Sequence, residues 1–265
     1  MQPATLPFKP AQATPTPPAA EPRPATILVV DIGGSKLKIL ATGETEPRKQ
    51  SSGKKLTPTR MVETVLKLAD GWDYEAVSLG YPGLVGPLGP RSEPGNLGPG
   101  WVGFNFAAAF GKPVKVINDA AMQALGSYEG GRMLFLGLGT GLGSSLIAGN
   151  IIFPLELGRL PFDTERTLGM VLGRRGLDRL GKAAWRKTVT AAVTALMGAF
   201  VADYVVIGGG NAKHLKDLPP GARRGHNLTA FRGGIRLWST EDPQILAVYG
   251  GESSHPTVKE ALRML

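Results

Sequence analysis

Short apolar runs that close on glycine alternate with stretches of helical spacing along most of this chain. Ile27-Leu28-Val29-Val30-Asp31 is an apolar run ended by an acid and followed by Gly33-Gly34-Ser35. That pattern predicts a buried strand running into a turn. Leu37 to Ala41 predicts the returning strand of a hairpin. Over Thr59 to Ala69 the apolar residues Met61, Val62, Val65, Leu66 and Ala69 recur at helical spacing, and Thr57 and Pro58 suit a helix start. Ala76 to Gly80 predicts a strand closed by Tyr81-Pro82-Gly83. Phe104 to Phe110 predicts a short helix stopped by Gly111. Val114 to Ile117 predicts a strand ending at Asn118-Asp119, and Ala120 to Tyr128 a helix.

The pattern then starts again. Met133 to Leu138 predicts a strand, Gly139-Thr140-Gly141 a turn, and Ser144 to Ala148 the returning strand. Thr188 to Val201 predicts a helix, and Tyr204 to Ile207 a strand entering Gly208-Gly209-Gly210. Strand, glycine turn, strand thus occurs near 27–41 and near 133–148, which predicts a duplicated α/β domain. The expected division is a Pro-rich disordered tail over 1–25, one α/β lobe over 26–129 and a second over 130–265. The tail has no basic start followed by an apolar run, so it does not read as a secretory signal. Val189 to Ala202 is too short to span a bilayer and predicts a buried core helix.

Composition narrows the chemistry. The chain has 265 residues, 42% of them hydrophobic, enough to bury a core. There are no cysteines, which excludes disulfides, thiolate zinc sites and Cys nucleophiles. Three scattered histidines, His214, His226 and His255, make a His-based metal site a poor prospect. The formal net charge of +9 favours polyanionic partners.

The glycine turns carry the first candidate chemistry. A hairpin without Cβ atoms at Gly33 and Gly34 can aim backbone N–H groups at a phosphate. Ser35 and Lys36 extend the turn, Lys38 adds charge, and Asp31 can hold Mg²⁺ directly or through water. The plain alternative, an ordinary hairpin, weighs about as much. Gly137-Leu138-Gly139-Thr140-Gly141-Leu142-Gly143 repeats the logic, with four glycines in seven positions. No Lys-Ser/Thr pair follows as in a Walker loop, and no long helix begins there as in a dinucleotide fold. Gly209 and Gly210 form a third phosphate candidate, for which a tight turn is an equal explanation. Asn118-Asp119 reads either as a helix N-cap or as a pair in which the amide holds a hydroxyl and the carboxylate takes its proton. Glu156, in Pro154-Leu155-Glu156-Leu157-Gly158, suits a sugar hydroxyl or a surface turn.

Together these segments resemble the ROK sugar-kinase family of the actin-like ATPase superfamily, and within it the polyphosphate glucokinases. The matching segments run in order: ILVVDIGGSKLK, SLGYPGLVG, GWVGFNF, VINDAA, GLGTGLGSSL, PLELG and YVVIGGG. Phe231 to Leu237 weakly resembles the family's closing helix, which would pack back on the first lobe. The resemblance implies a two-lobed, ribonuclease H-like duplicated fold with a central cleft. It implies Asp119 as catalytic base, and Asn118, Asn105, Glu156, Pro82 and Gly83 around the sugar. Gly33, Gly34, Ser35, Lys36, Gly139, Thr140, Gly141, Gly209 and Gly210 would face phosphate, with Mg²⁺ near Asp31. The implied reaction is phosphoryl transfer from polyphosphate or ATP to the 6-hydroxyl of glucose or a related hexose, in a cytoplasmic homodimer. The family usually carries a His shortly after the Glu and, in most members, a Cys-rich zinc loop; here Arg159 stands near the first place and the second is missing.

Basic residues cluster at Arg174, Arg175, Arg179, Lys182, Arg186 and Lys187, and again at Arg223, Arg224, Arg232 and Arg236. A solvated helix face explains them; so does a track for a polyphosphate chain. Aromatics do not interleave with them apart from Trp185 and Trp238, which ranks nucleic acid below polyphosphate. Nothing points to a membrane. The rival readings are a non-catalytic sugar-binding regulator and a silent polyanion-binding scaffold.

Overall fold

The computed structural model describes residues 24–226 and 228–239. All but the last two residues of the expected 1–25 tail lie outside these. The first half opens with β1 (Ile27–Ile32), β2 (Lys36–Ala41) and β3 (Arg48–Ser51), then α1 (Pro58–Leu68) and β4 (Ala76–Tyr81). A two-stranded ribbon, β5 (Val85–Gly86) and β6 (Gly89–Pro90), and α2 (Phe106–Phe110) lead to β7 (Val114–Asn118) and α3 (Asp119–Ser127). The second half has β8 (Met133–Leu138), β9 (Leu142–Ala148), β10 (Ile151–Leu155), α4 (Leu168–Leu172), α5 (Arg174–Ala199), β11 (Tyr204–Gly208), β12 (Ala222–Arg224) and α6 (Thr229–Arg236).

The two halves share one topology. The sheets run β3-β2-β1-β4-β7 and β10-β9-β8-β11-β12. In each, an antiparallel meander of three strands is joined through its first strand to two parallel ones. That central strand is covered on both faces, which is why it reads as an unbroken apolar run. Along β1, Leu28, Val30 and Ile32 enter one core while Ile27 and Val29 enter another. Along β8, Leu134 and Leu136 face the outer core with Trp185, and Met133 and Phe135 face inward. The inner core joins the sheets through α3 and α6.

The α3–α6 crossing depends on glycine. A Cβ on Gly126 would lie 1.8 Å from Thr229 O, and one on Gly233 would lie 1.8 Å from Met122 O. The backbones therefore meet at a distance no side chain permits. Ser78 Oγ donates to Gly234 O at 2.6 Å, and Trp238 Nε1 donates to Ser78 Oγ at 2.9 Å. These bonds hold α6 against β1 and β4 of the first half.

Two expectations need correction. The helix expected from Thr188 begins at Arg174, with a break at Gly181 (φ 71°, ψ 163°). Val189 to Ala202 is not a buried core helix. Only the stripe Val189, Val193 and Leu196 is buried, and Val201 is 61% exposed. The segment lies along the outer face of the second sheet, and its many alanines carry no sidedness in the sequence. Among the described residues no helix is long and apolar enough to cross a membrane.

Candidate active site

β1 delivers Asp31 to the edge of the first glycine turn. Asp31 is 6% exposed and lies opposite Lys38 in the β1–β2 register, and Lys38 Nζ reaches Asp31 Oδ2 at 3.0 Å. A carboxylate that deep needs such a partner. Gly33 N–H closes the turn on Lys36 O at 2.9 Å. Ser52 braces the turn from outside, its Oγ donating to Gly33 O at 2.7 Å and its N–H to Ser35 O at 3.1 Å. Lys36, at the first position of β2, is exposed and lies opposite Ser51.

The second turn is braced through its carbonyls. Asn211 Nδ2 donates to Gly139 O at 2.8 Å, and Arg174 N–H donates to the same oxygen at 3.0 Å. Gly209 packs on β8: a Cβ there would lie 2.5 Å from Leu138 O, while one on Gly210 would meet open space. The two turns face each other. A Cβ on Gly34 would lie 2.2 Å from Asn96 Nδ2 and 3.6 Å from Thr140 Oγ1. A Cβ on Gly143 would come within 2.9 Å of Ala120 Cβ, so the second hairpin also packs on the start of α3.

Asp119 is the first residue of α3, and its Oδ1 accepts from Ala120 N–H at 2.8 Å. Part of its surface still reaches solvent, yet protein atoms crowd the carboxyl on most sides. Burial pushes its pKa up to about 7, and the Asp31 and Glu156 carboxylates push the same way against the Ala120 N–H. Three acids from three separate elements are therefore electrostatic neighbours. Glu156 precedes a single 3₁₀ turn (Leu157–Arg159), and Arg159 Nε pairs with its Oε2 at 3.4 Å.

Asn118 caps α3, its Oδ1 accepting from Ala121 N–H at 3.0 Å, while Nδ2 donates to Gly83 O at 3.1 Å. That second bond ties the Tyr81-Pro82-Gly83 turn to the start of α3. Asn105 stands apart as the N-cap of α2, its Oδ1 accepting from Ala108 N–H at 3.0 Å. It lines a groove of about 380 Å³ with Gly86, Phe104 and Val116. Sequence reasoning passed over Asn96 and Asn211, because polar residues in Gly-rich loops carry no mark of what they face.

Among the described residues no group of three or more His, Cys, Asp or Glu could enclose a metal. One hard carboxylate, Asp31, suits an ion held mainly by donor phosphates and water, as magnesium often is.

The two basic groups differ. On α5, Arg174, Arg175, Arg179, Lys182 and Lys187 are exposed. Arg174 pairs with Asp178 at 2.9 Å, and Arg186 Nε donates to His214 O at 2.5 Å. Desolvation lowers the His214 pKa, and Lys182, Lys213, Arg174 and Arg186 add to it, so these cations converge there. In the later group, Arg223 pairs with Glu129 and lies over the Tyr204 ring. Arg224 donates to Leu215 O, and Arg236 donates to Leu125 O and Tyr128 O. Those three tie elements together.

No family model matches the chain. It is 26% identical over 211 residues to the polyphosphate glucokinase of Mycobacterium tuberculosis (strain CDC 1551 / Oshkosh), covering 68% of this chain and 76% of that protein. It is 26% identical over 202 residues to the polyphosphate glucokinase of Mycobacterium leprae (strain TN), covering 68% of this chain and 62% of that protein. Among solved structures, the inorganic polyphosphate/ATP-glucomannokinase from Arthrobacter sp. strain KM superposes with a TM-score of 0.69 at 21% identity, over 82% of this chain and 98% of that one. A ROK family glucokinase from Streptomyces griseus, in complex with glucose and AMPPNP, gives 0.61 at 18% identity over 80% and 99%. A ROK family transcriptional regulator, a homolog of the E. coli MLC protein, gives 0.60 at 16% identity over 80% and 77%. The resemblance read from the motifs is thus met in curated relatives, and the actin-like α/β fold in solved structures.

Proposed function

We propose that the chain is a sugar kinase that moves a phosphoryl group from inorganic polyphosphate or ATP to the 6-hydroxyl of glucose or a related hexose. One observation carries the reading: a carboxyl with its pKa near 7, on Asp119, beside two further carboxylates where two glycine turns meet. A base with that pKa is half ionised near neutral pH and takes a proton well from an attacking hydroxyl. The curated relatives, phosphotransferases by name, support the same chemistry.

In this reading Asp119 accepts the hydroxyl proton as the oxygen attacks the terminal phosphorus. The bond from phosphorus to the bridging oxygen breaks, leaving ADP or a polyphosphate shorter by one unit. Asn118 keeps α3 and the Pro82-Gly83 turn in register around the sugar. Glu156, oriented by Arg159, takes a sugar hydroxyl. Gly34, Ser35, Thr140 and Gly141 offer backbone N–H groups to the phosphates from two sides, while Gly33 and Gly139, whose N–H groups are bonded within their own turns, shape those turns; Lys36 adds charge, and Gly209 and Gly210 border them. Magnesium, when bound through Asp31 and the donor, would neutralise charge developing on the phosphoryl oxygens. Lys38 Nζ, 3.0 Å from Asp31 Oδ2, puts a positive charge beside that carboxylate.

The fold also occurs in a transcriptional regulator and does not by itself decide for catalysis. The perturbed Asp119 favours the kinase. The test is a coupled assay for glucose 6-phosphate, run with ATP and with polyphosphate in parallel. The reading expects turnover with at least one donor; a folded protein silent with both, across several hexoses, contradicts it.

A further inference from the structure

The loop after β3 and the exposed side of α1 enclose an open groove of about 500 Å³ that the kinase reading leaves unused. Its lining carries Lys54, Lys55, Arg60 and Lys67 against one acid, Glu63. All four cations are exposed. Among the described residues none of the four is in an ion pair, although Arg60 Nη1 donates to Lys55 O at 3.4 Å. Leu56, the one large apolar residue in the lining, is 9% exposed, and no aromatic ring is there to stack on a base.

Position gives the groove its meaning. Ser52 belongs to its wall and also braces the first glycine turn, through Gly33 O at 2.7 Å and Ser35 O at 3.1 Å. Lys36 leaves that turn opposite Ser51, another wall residue. A cationic path therefore starts at the turn beside Asp31 and continues into the groove. A nucleotide ends after three phosphates in a sugar and a base, for which this lining offers neither stacking nor apolar surface. A linear phosphate polymer repeats the one group that the lining does suit.

We propose that the groove formed by the 52–55 loop and α1 binds the distal phosphates of an inorganic polyphosphate chain whose terminal phosphate lies between the glycine turns. This rests on the polyphosphate-donor reading above. The exposed cations of α5 offer the competing route: Arg174 is taken up by Asp178, while Arg175, Arg179, Lys182 and Lys187 are in no ion pair among the described residues, so the test sets the two routes side by side.

The test compares wild type with Lys54→Gln/Lys55→Gln/Arg60→Gln and with Arg175→Gln/Arg179→Gln/Lys187→Gln. Two readouts are used: binding of a fluorescently end-labelled long polyphosphate across a salt series, and steady-state kinetics with long polyphosphate, tripolyphosphate and ATP. Replacing three exposed side chains should leave the melting temperature unchanged, which excludes unfolding as the cause. The groove variant should bind long polyphosphate about ten-fold or more weakly at low salt. Its log–log salt slope should fall by about two, at roughly 0.7–0.9 for each phosphate that the protein no longer neutralises. Its KM for long polyphosphate should approach that for tripolyphosphate, while KM for ATP and glucose should not move. If the α5 variant alone shows these losses, or wild type binds no polyphosphate, the groove assignment is overturned while glucose phosphorylation from ATP keeps the kinase reading. If wild type binds polyphosphate with a slope that the groove variant loses, but phosphorylates no hexose from any donor, the groove stands and the kinase reading falls.

Discussion

At the scale of single residues, Asp119 is where the proposed kinase chemistry meets the fold, at the first position of α3. Asp119→Asn should leave α3 intact, because the cap is Asn118, and should lower kcat by about 10²-fold or more, as general-base catalysis contributes roughly 10²–10⁴. Its raised pKa also fixes a sign. Folding favours protonated Asp119, so the stability it gives is full below the unfolded-state pKa near 3.9 and is lost as pH rises through about 7. Thermal melts of wild type and Asp119→Asn should therefore agree most closely near pH 4 and diverge by pH 8, with the variant the more stable. The same group predicts an acidic limb in kcat/KM near pH 7. Asp31→Asn removes one carboxylate that raises Asp119, so whatever activity survives should show that limb at lower pH; an unmoved limb would separate the two acids. Asp31 and Asp119 were legible in the sequence because an acid that ends an apolar strand is conspicuous. Asn118 and Asn105 turn out to hold helix starts, the reading that N-cap chemistry gives. The approach of Asn96 to Gly34 was not legible, because it links residues brought together only by the folded chain.

Among the elements, the glycine hairpins and the central strands could be read directly, because strands covered on both faces carry unbroken apolar runs. The edge strands could not. β3 reads Arg-Lys-Gln-Ser, as suits an exposed edge, and β10 contains Pro154, tolerated where one side of the strand has no partner. The start of α5 was hidden by its cations and by Gly181, and the contact of α3 with α6 by its dependence on Gly126 and Gly233. That contact makes a sharp prediction. Gly126→Val should destabilise the protein by about 3 kcal/mol or more, beyond ordinary overpacking, because the obstacle is backbone rather than a movable side chain. Urea unfolding would report it. A midpoint like that of wild type would mean that α6 does not hold this position against α3.

For the whole molecule, the repeated order of strands in the two sheets was visible as a repeated strand–turn–strand motif, because each half starts with the same buried hairpin. The +9 charge was visible too, but its allocation was not. Arg223, Arg224 and Arg236 bind an acid or backbone carbonyls, whereas Lys54, Lys55 and Lys67, which attracted no notice in the sequence, line an open groove. Charge counted along a chain does not say which side chains find partners once it folds. The central claim is that the Asp119 carboxyl, between the paired turns, drives phosphoryl transfer to a sugar hydroxyl. Phosphorus NMR of the protein with glucose, magnesium and long-chain polyphosphate or ATP at pH 8 tests it most directly. The account predicts a glucose 6-phosphate resonance that grows with wild type and stays about 10²-fold slower with Asp119→Asn. A folded wild type that forms no sugar phosphate from either donor, or an Asp119→Asn variant that forms it as fast, would contradict the account.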